Sequence, residues 1–131
     1  MSKYFKYKFK IYYEDTDSGG IVYYANYLKY LERARSEAIY SLGLTNIKLQ
    51  KDYGALIIVK SCNIEYKKPA KFEDELEIIS SILSKTKTSF TMLQTIKNKE
   101  EIISQATVQL VTVNKEGKPI KIPEILNNLL N

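Results

Sequence analysis

The sequence predicts an α+β domain, an antiparallel sheet curled around one long helix. Residues 24–42 repeat apolar side chains at helical spacing, whereas residues 5–11 and four stretches after residue 54 alternate or run apolar as strands do. Short polar turns separate the later stretches, and short turns between strands imply antiparallel pairing. With the helix between the first strand and the rest, the sheet has a single long element to bury. At 131 residues one domain, 1–131, accounts for the chain, and about two-thirds of its unfolded surface can be buried.

In residues 5–11, Phe5, Tyr7, Phe9 and Ile11 share one face and Lys6, Lys8 and Lys10 the other, the period of a half-buried strand. Aromatics interleaved with lysines also occur where single-stranded nucleic acid stacks on protein. A stacking platform needs both on one face, so nucleic acid is not expected as a partner. Residues 12–22 form a polar, glycine-containing connection. In 24–42, Tyr27, Leu31, Ala34, Ala38 and Leu42 recur at spacings of four, three, four and four, one apolar stripe. Arg33 and Glu37 form an i, i+4 pair off that stripe, and Gly43 is placed to stop the helix, whose span would be about 28 Å. A shorter helix fits 45–52.

Residues 55–66 begin as a fully apolar run and then alternate, with Cys62, Ile64 and Tyr66 on one side and Pro69 beyond as a stop. Strands at 75–84, 89–97 and 102–113 complete a four-strand meander, with turns at 85–88, 98–101 and 114–118. The tail from Pro123 to Leu130 fits a short helix with proline in its first turn. Ile79 and Leu83 fall outside the Leu76, Ile78 and Ile82 set. That leaves apolar surface over, and a homo-oligomer would cover it.

Composition excludes several chemistries. The chain has no His, no Trp and one Cys. Without histidine there is no Ser-His-Asp or Cys-His pair, no His-ligated zinc and no His-ligated haem, and one thiol cannot build a thiolate zinc site. Cys62 cannot form an intramolecular disulfide, the start MSKYFKYKFK has no apolar core of signal-peptide length, and no stretch approaches the ~20 apolar residues of a membrane span. The expectation is a cytoplasmic protein, not integral to a membrane. Twenty Lys+Arg against fifteen Asp+Glu give 20 − 15 = +5, which suits phosphate-bearing ligands or is simply a solvated lysine-rich surface.

The densest segment is Tyr13-Glu14-Asp15-Thr16-Asp17-Ser18-Gly19-Gly20-Ile21-Val22-Tyr23-Tyr24-Ala25-Asn26-Tyr27. Carboxylates stand beside two glycines directly before a helix N-terminus. The first N–H groups of a helix lack intrahelical partners and, with the helix dipole, favour an oxyanion or phosphate; glycine permits close approach. Two readings stand at this level: Asp and Ser as cap and turn residues, or a carboxylate active site. Calcium-loop spacing is lacking, no Gly-Lys-Ser/Thr follows the glycines, and no metal is expected.

This run, with Asn26-Tyr27-Leu28 and Glu32-Arg33-Ala34-Arg35, resembles the signature of hotdog-fold acyl-CoA thioesterases of the 4-hydroxybenzoyl-CoA thioesterase type, and within them the bacterial Tol–Pal-associated branch. The similarity covers nearly the whole chain. It implies a hotdog fold, a sheet wrapped around a central helix, and an acyl-CoA thioester hydrolase. It makes Asp17 the catalytic carboxylate and the Tyr24 backbone N–H the donor to the thioester carbonyl, with Gly20 in the same catalytic loop. It places the sites between protomers of a homodimer joined edge to edge, commonly paired into a homotetramer, with acyl carrier protein a further partner. Many close relatives carry His where this chain has Tyr24; a backbone donor survives that change.

The chemistry stands without histidine. A thioester expels a thiolate whose conjugate acid has a pKa of roughly 8.5, so no general acid is required. A nucleophile and oxyanion stabilisation remain, the latter worth about 3–4 kcal/mol per good donor. Asp17 either attacks the carbonyl or deprotonates water. Asp15 competes for the role, though capping or loop bonding suits it better. No cofactor is expected, coenzyme A being part of the substrate. Lys85 and Lys87, by position in the family pattern, would meet its phosphates, with Lys60, Lys67, Lys68 and Lys71 as alternatives. Val59, Ser61 and Asn63 lie on a strand positioned to line the acyl group, although core packing suits Val59 better. A hydroxyacyl dehydratase of the same fold would need the missing histidine. A non-catalytic hotdog module binding acyl-CoA or acyl carrier protein would not need Asp17.

Overall fold

The computed structural model describes residues 4–131, apart from the side chain of Asn128; the first three residues of the domain expected over 1–131 lie outside the described residues. Five strands, β1 (Phe5–Lys10), β2 (Leu56–Tyr66), β3 (Glu75–Lys85), β4 (Ser89–Asn98) and β5 (Glu101–Val113), form one antiparallel sheet in the order β1-β3-β4-β5-β2. Helix α1 (Tyr24–Tyr40) packs against it, α2 (Asn46–Tyr53) follows, and the chain closes with a 3-10 turn (Glu124–Leu126) and the short α3 (Asn127–Leu130). The α+β architecture, a sheet around a long helix, is as the sequence predicts.

Helix α1 buries Tyr27, Tyr30, Leu31, Ala34, Ala38 and Ile39. The expected stripe is therefore widened by Tyr30 and Ile39, and Leu42 lies past the helix end, half-buried in the turn. The helix is shorter than expected because Gly43 adopts φ +79°, a left-handed conformation in which side-chain-bearing residues are strained. Arg33 and Glu37 do not form an ion pair; among the described residues the pairs are Lys68–Glu101 and Lys97–Glu100. Helix α2 begins where Thr45 accepts from Lys48 N at 3.0 Å. In the tail, Pro123 precedes the 3-10 turn rather than entering it, and Leu126, Leu129 and Leu130 are buried.

Two expectations about the sheet are corrected. The last four strands are not one meander: β3, β4 and β5 are, but β2 crosses to the far edge and pairs with β5. The eight residues 67–74 make that crossing possible, whereas the turns between β3, β4 and β5 are too short for anything but a hairpin. Nor is the apolar start of β2 buried throughout: Leu56 and Ile57 are only half-buried. Ile58 and Val59 are 44% and 48% exposed, so Val59 is not a core residue. A strand with a neighbour on one side only leaves half of its surroundings open.

The β1 alternation is as expected: Phe5, Tyr7 and Phe9 pack against the core, while Lys8 and Lys10 stand opposite Glu77 and Glu75. Replacing Leu31, 1% exposed at the centre of the helix–sheet contact, by alanine is expected to cost about 2–5 kcal/mol, read as a lowered urea midpoint at unchanged slope.

Candidate functional site

The segment between β1 and α1 is built from the backbone outward. After Ile11, whose N–H donates to Asp74 O at 2.9 Å, residues Tyr13–Asp15 form a single 3-10 turn. Asp15 closes it, its Oδ2 accepting from Tyr12 N at 2.8 Å. The carbonyl of Asp15 accepts from Asn26 Nδ2 at 2.9 Å and from Tyr23 N at 3.4 Å. The loop is thereby clamped to the first turn of α1. Capping and loop bonding, the role expected of Asp15 beside Asp17, is what its contacts show.

Asp17 follows in a tight turn. Its N–H donates to Ile21 O at 2.9 Å and its carbonyl accepts from Gly20 N at 3.0 Å. Its Oδ1 accepts from Gly19 N at 2.9 Å and from Ile21 N at 3.4 Å. Those two amides hold the carboxylate while Asp17 stays exposed, and Oδ2 has no hydrogen-bond partner among the described residues. Gly20 sits at φ +76°, and Phe72 N donates to its carbonyl at 3.0 Å, which ties the turn to the segment before β3. Asp17, Ser18 and Gly20 line a shallow depression of about 370 Å³ with Tyr13, Thr16 and Phe72.

The cap reading fails for α1. Its N-cap is Tyr23, whose side chain makes no capping bond, and the first turn holds no acidic residue. Neither Asp17 nor Ser18 caps the helix. The N–H groups of Tyr24 and Ala25, first and second in the helix, have no intrahelical acceptor by geometry. The Tyr24 ring is 62% exposed and packs on Tyr66 at 4.7 Å between centroids. Tyr24 does not line the Asp17 depression; the two are linked through the Asp15 clamp.

The remaining expected residues do not converge on this point in one chain. Val59 stands opposite Leu110, but Ser61 stands opposite Gln109, because a bulge at Lys60 breaks the register. The one-residue slip puts Ser61 and Asn63 on the sheet face away from α1, so the three do not share a face as their spacing implies. Lys85 and Lys87 lie at the far end of β3 from the loop, whose neighbour Lys10 pairs with Glu75. Over an eleven-residue strand that is roughly 30 Å. Lys85 also bonds Asn131, and Lys68 is taken up by Glu101.

Sequence reasoning missed a polar group under α1. Gln94 is fully buried on β4; its Nε2 donates to Leu31 O and to Ser80 Oγ, both at 3.0 Å, and its Oε1 accepts from Arg35 Nη1 at 3.0 Å. The available signal was a glutamine among the inward-facing Phe90, Met92 and Ile96. Burial lowers the Arg35 pKa, with Glu32 and Cys62 opposing it. Arg35 lines a cavity of about 180 Å³ between α1, β2, β4, β5 and Leu129. Burial also pushes the Tyr30 phenol well up, helped by Asp15; the hydroxyl has no hydrogen-bond partner among the described residues.

The thioesterase superfamily profile matches residues 19–104, starting two residues past Asp17 and so covering the helix and most of the sheet but not that carboxylate. The chain is 36% identical over 122 residues to acyl-CoA thioester hydrolase YbgC of Escherichia coli O6:H1, covering 92% of this chain and 90% of that protein. It is 32% identical over 121 residues to acyl-CoA thioesterase YbgC of Haemophilus influenzae, at 92% and 89% coverage. The crystal structure of a probable thioesterase from Bartonella henselae superposes with TM-score 0.87 at 31% identity, over 92% of this chain and all of that one.

Gly20→Ala is expected to destabilise the fold by about 1–2 kcal/mol through backbone strain alone, since no atom lies within 4 Å of the added Cβ. Thermal unfolding of the two proteins checks it.

Proposed function

The chain belongs to the thioesterase superfamily, and from that premise we propose that it hydrolyses acyl-CoA thioesters with Asp17 as catalytic carboxylate and the N-terminus of α1 as the oxyanion site. The observation that carries this reading is the uncapped first turn of α1, clamped by Asn26 to a loop that presents an exposed carboxylate. A long helix whose N-cap makes no side-chain bond forgoes about 1 kcal/mol of local stability, and a carbonyl oxygen acquiring negative charge takes up the donors left open.

The thioester carbonyl oxygen accepts from Tyr24 N–H as the carbonyl carbon becomes tetrahedral. Asp17 either adds to that carbon, giving a mixed anhydride that water opens, or takes the proton from the attacking water. In both routes the C–S bond breaks and the sulfur leaves as a thiolate, with no protonated imidazole required. The amides of Gly19 and Ile21 hold Oδ1, which leaves Oδ2, without a hydrogen-bond partner among the described residues, as the oxygen to react. No cofactor takes part; coenzyme A enters as part of the substrate and leaves as the free thiol.

A dimer supports the remaining assignments. β2 is a long, exposed edge strand, the kind of edge that pairs with another strand. Tyr66, at its end, contacts the α1 N-terminus, while Val59 and Ile57 lie in its first half. Antiparallel pairing of β2 with its copy sets the first half of one strand beside the last half of the other. It also carries the Lys85 and Lys87 end of one protomer toward the Asp17 end of its partner, where they would meet coenzyme A phosphates.

Asp17→Asn is expected to lower acyl-CoA hydrolysis by at least about a hundredfold, measured as free thiol release, while Asp15→Asn retains more. Equal wild-type and Asp17→Asn rates across a chain-length panel would overturn the catalytic assignment of Asp17. Sedimentation at tens of micromolar is expected to give a dimer or larger, and Cys62→Glu, which sets like charges across the β2 pairing, is expected to shift it toward monomer. A monomeric wild type would remove the edge-to-edge arrangement.

A further inference from the structure

Arg35 is a cation in a largely apolar setting with no ion pair among the described residues, although Glu32 and Asn46 also line its cavity. The cavity it lines is walled by Ile57, Val59, Phe90, Met92 and Leu110, with Glu32 and Ser36 on the same helix. No carboxylate lies within ion-pair distance of the guanidinium among the described residues; Glu32 is exposed and engaged by Ser36 Oγ at 3.3 Å. Arg35 makes one hydrogen bond among the described residues, to Gln94, out of five donors. Gln94 cannot turn away, because both hydrogens of its amide nitrogen are used on Leu31 O and Ser80 Oγ. The guanidinium is therefore held in place, half-buried and with donors to spare. Taking a charge partly out of water without a partner is costly, so a partner from outside the chain is the economical explanation.

Size narrows that partner. A dry apolar cavity of ~150 Å³ takes a benzene-sized guest, so the about 180 Å³ here fits a short chain or a single ring. Position narrows it further. Arg35 lies eleven residues beyond Tyr24 along α1, roughly 16 Å, too far for a short acyl group whose carbonyl sits at the Tyr24 N–H of the same chain. The antiparallel β2 pairing proposed above would bring the Ile57 and Val59 half of one protomer, and with it the cavity, beside the Tyr66 end of the other.

We propose that this cavity receives the far end of the acyl group bound at the partner's helix N-terminus, and that Arg35 selects short acyl groups ending in a hydrogen-bond-acceptor oxygen, a carboxylate above all. The proposal rests on the acyl-CoA hydrolase reading and names the substrate class of that same site.

The test is kcat/KM for a matched pair, glutaryl-CoA and pentanoyl-CoA, which share five acyl carbons and differ in the terminal carboxylate. Wild type, Arg35→Lys and Arg35→Met are compared. The glutaryl/pentanoyl ratio is expected to fall at least tenfold in Arg35→Met, with Arg35→Lys between that variant and wild type. As a readout independent of any variant, free glutarate is expected to inhibit wild-type pentanoyl-CoA hydrolysis at concentrations where pentanoate does not. An unchanged ratio together with equal inhibition by the two acids overturns the role of Arg35 and leaves hydrolysis intact. So does a loss of dimer in Arg35→Met with the ratio preserved, since the charge would then serve the second copy. A wild type that cleaves no acyl-CoA overturns the hydrolase reading itself.

Discussion

The helix and the sheet meet at one buried amide. Gln94 sits in the middle of β4 with no solvent exposure, and its side chain bonds the Leu31 carbonyl on α1, Ser80 on β3 and the Arg35 guanidinium. Apolar packing by Leu31, Ala34 and Ala38 is non-directional and would tolerate sliding; a buried amide is not, because each unmade bond leaves a desolvated polar group. Gln94 therefore fixes how far α1 lies along the sheet and how it is rotated. Both ends of the helix inherit that placement, the open N-terminus by Tyr66 and the Arg35 cavity by Val59.

The loop before α1 follows a different logic. It has a 3-10 turn, a positive-φ glycine and three carboxylates within ten residues, yet the N-cap residue of the helix it leads into makes no side-chain bond. Asp15 looks like a cap in sequence but closes the 3-10 turn, and its carbonyl, not its carboxylate, is the group the helix holds. Local rules are broken here while the surrounding structure obeys them, a pattern common at functional sites. Tyr27 and Tyr30, both buried in the first two turns of α1, pack edge-on at 6.2 Å.

Much of the fold was legible because periodicity alone reports it. Period two in Phe5, Tyr7 and Phe9, helical spacing in Tyr27, Leu31, Ala34 and Ala38, and the polar turns between β3, β4 and β5 each act over a few residues. The path of β2 was not legible. An apolar start such as Leu56, Ile57, Ile58 and Val59 reads as buried whether a strand is central or at an edge, and the bulge at Lys60 has no composition signal. The same bulge separates Val59 from Ser61 and Asn63, which period two alone would join. Lys85 and Lys87 are assigned by position in the family pattern, and their separation from the Asp17 loop within one chain follows from the length of β3.

The sequence by itself determined the chemistry open to this protein: no histidine, hence no imidazole base, and a carboxylate loop with glycines before a helix N-terminus. Composition and short-range spacing suffice for that, since residue types and local backbone preferences are properties of a few neighbours. Only the tertiary structure decided which carboxylate is engaged by the loop closure and which is presented to solvent, that the N-cap of the helix makes no side-chain bond, and that Arg35 stands on a buried glutamine with no ion pair among the described residues. Those depend on contacts between residues as far apart as Leu31 and Gln94, or Gly20 and Phe72. Contacts at that separation arise from the packing of whole elements, and no local pattern encodes them.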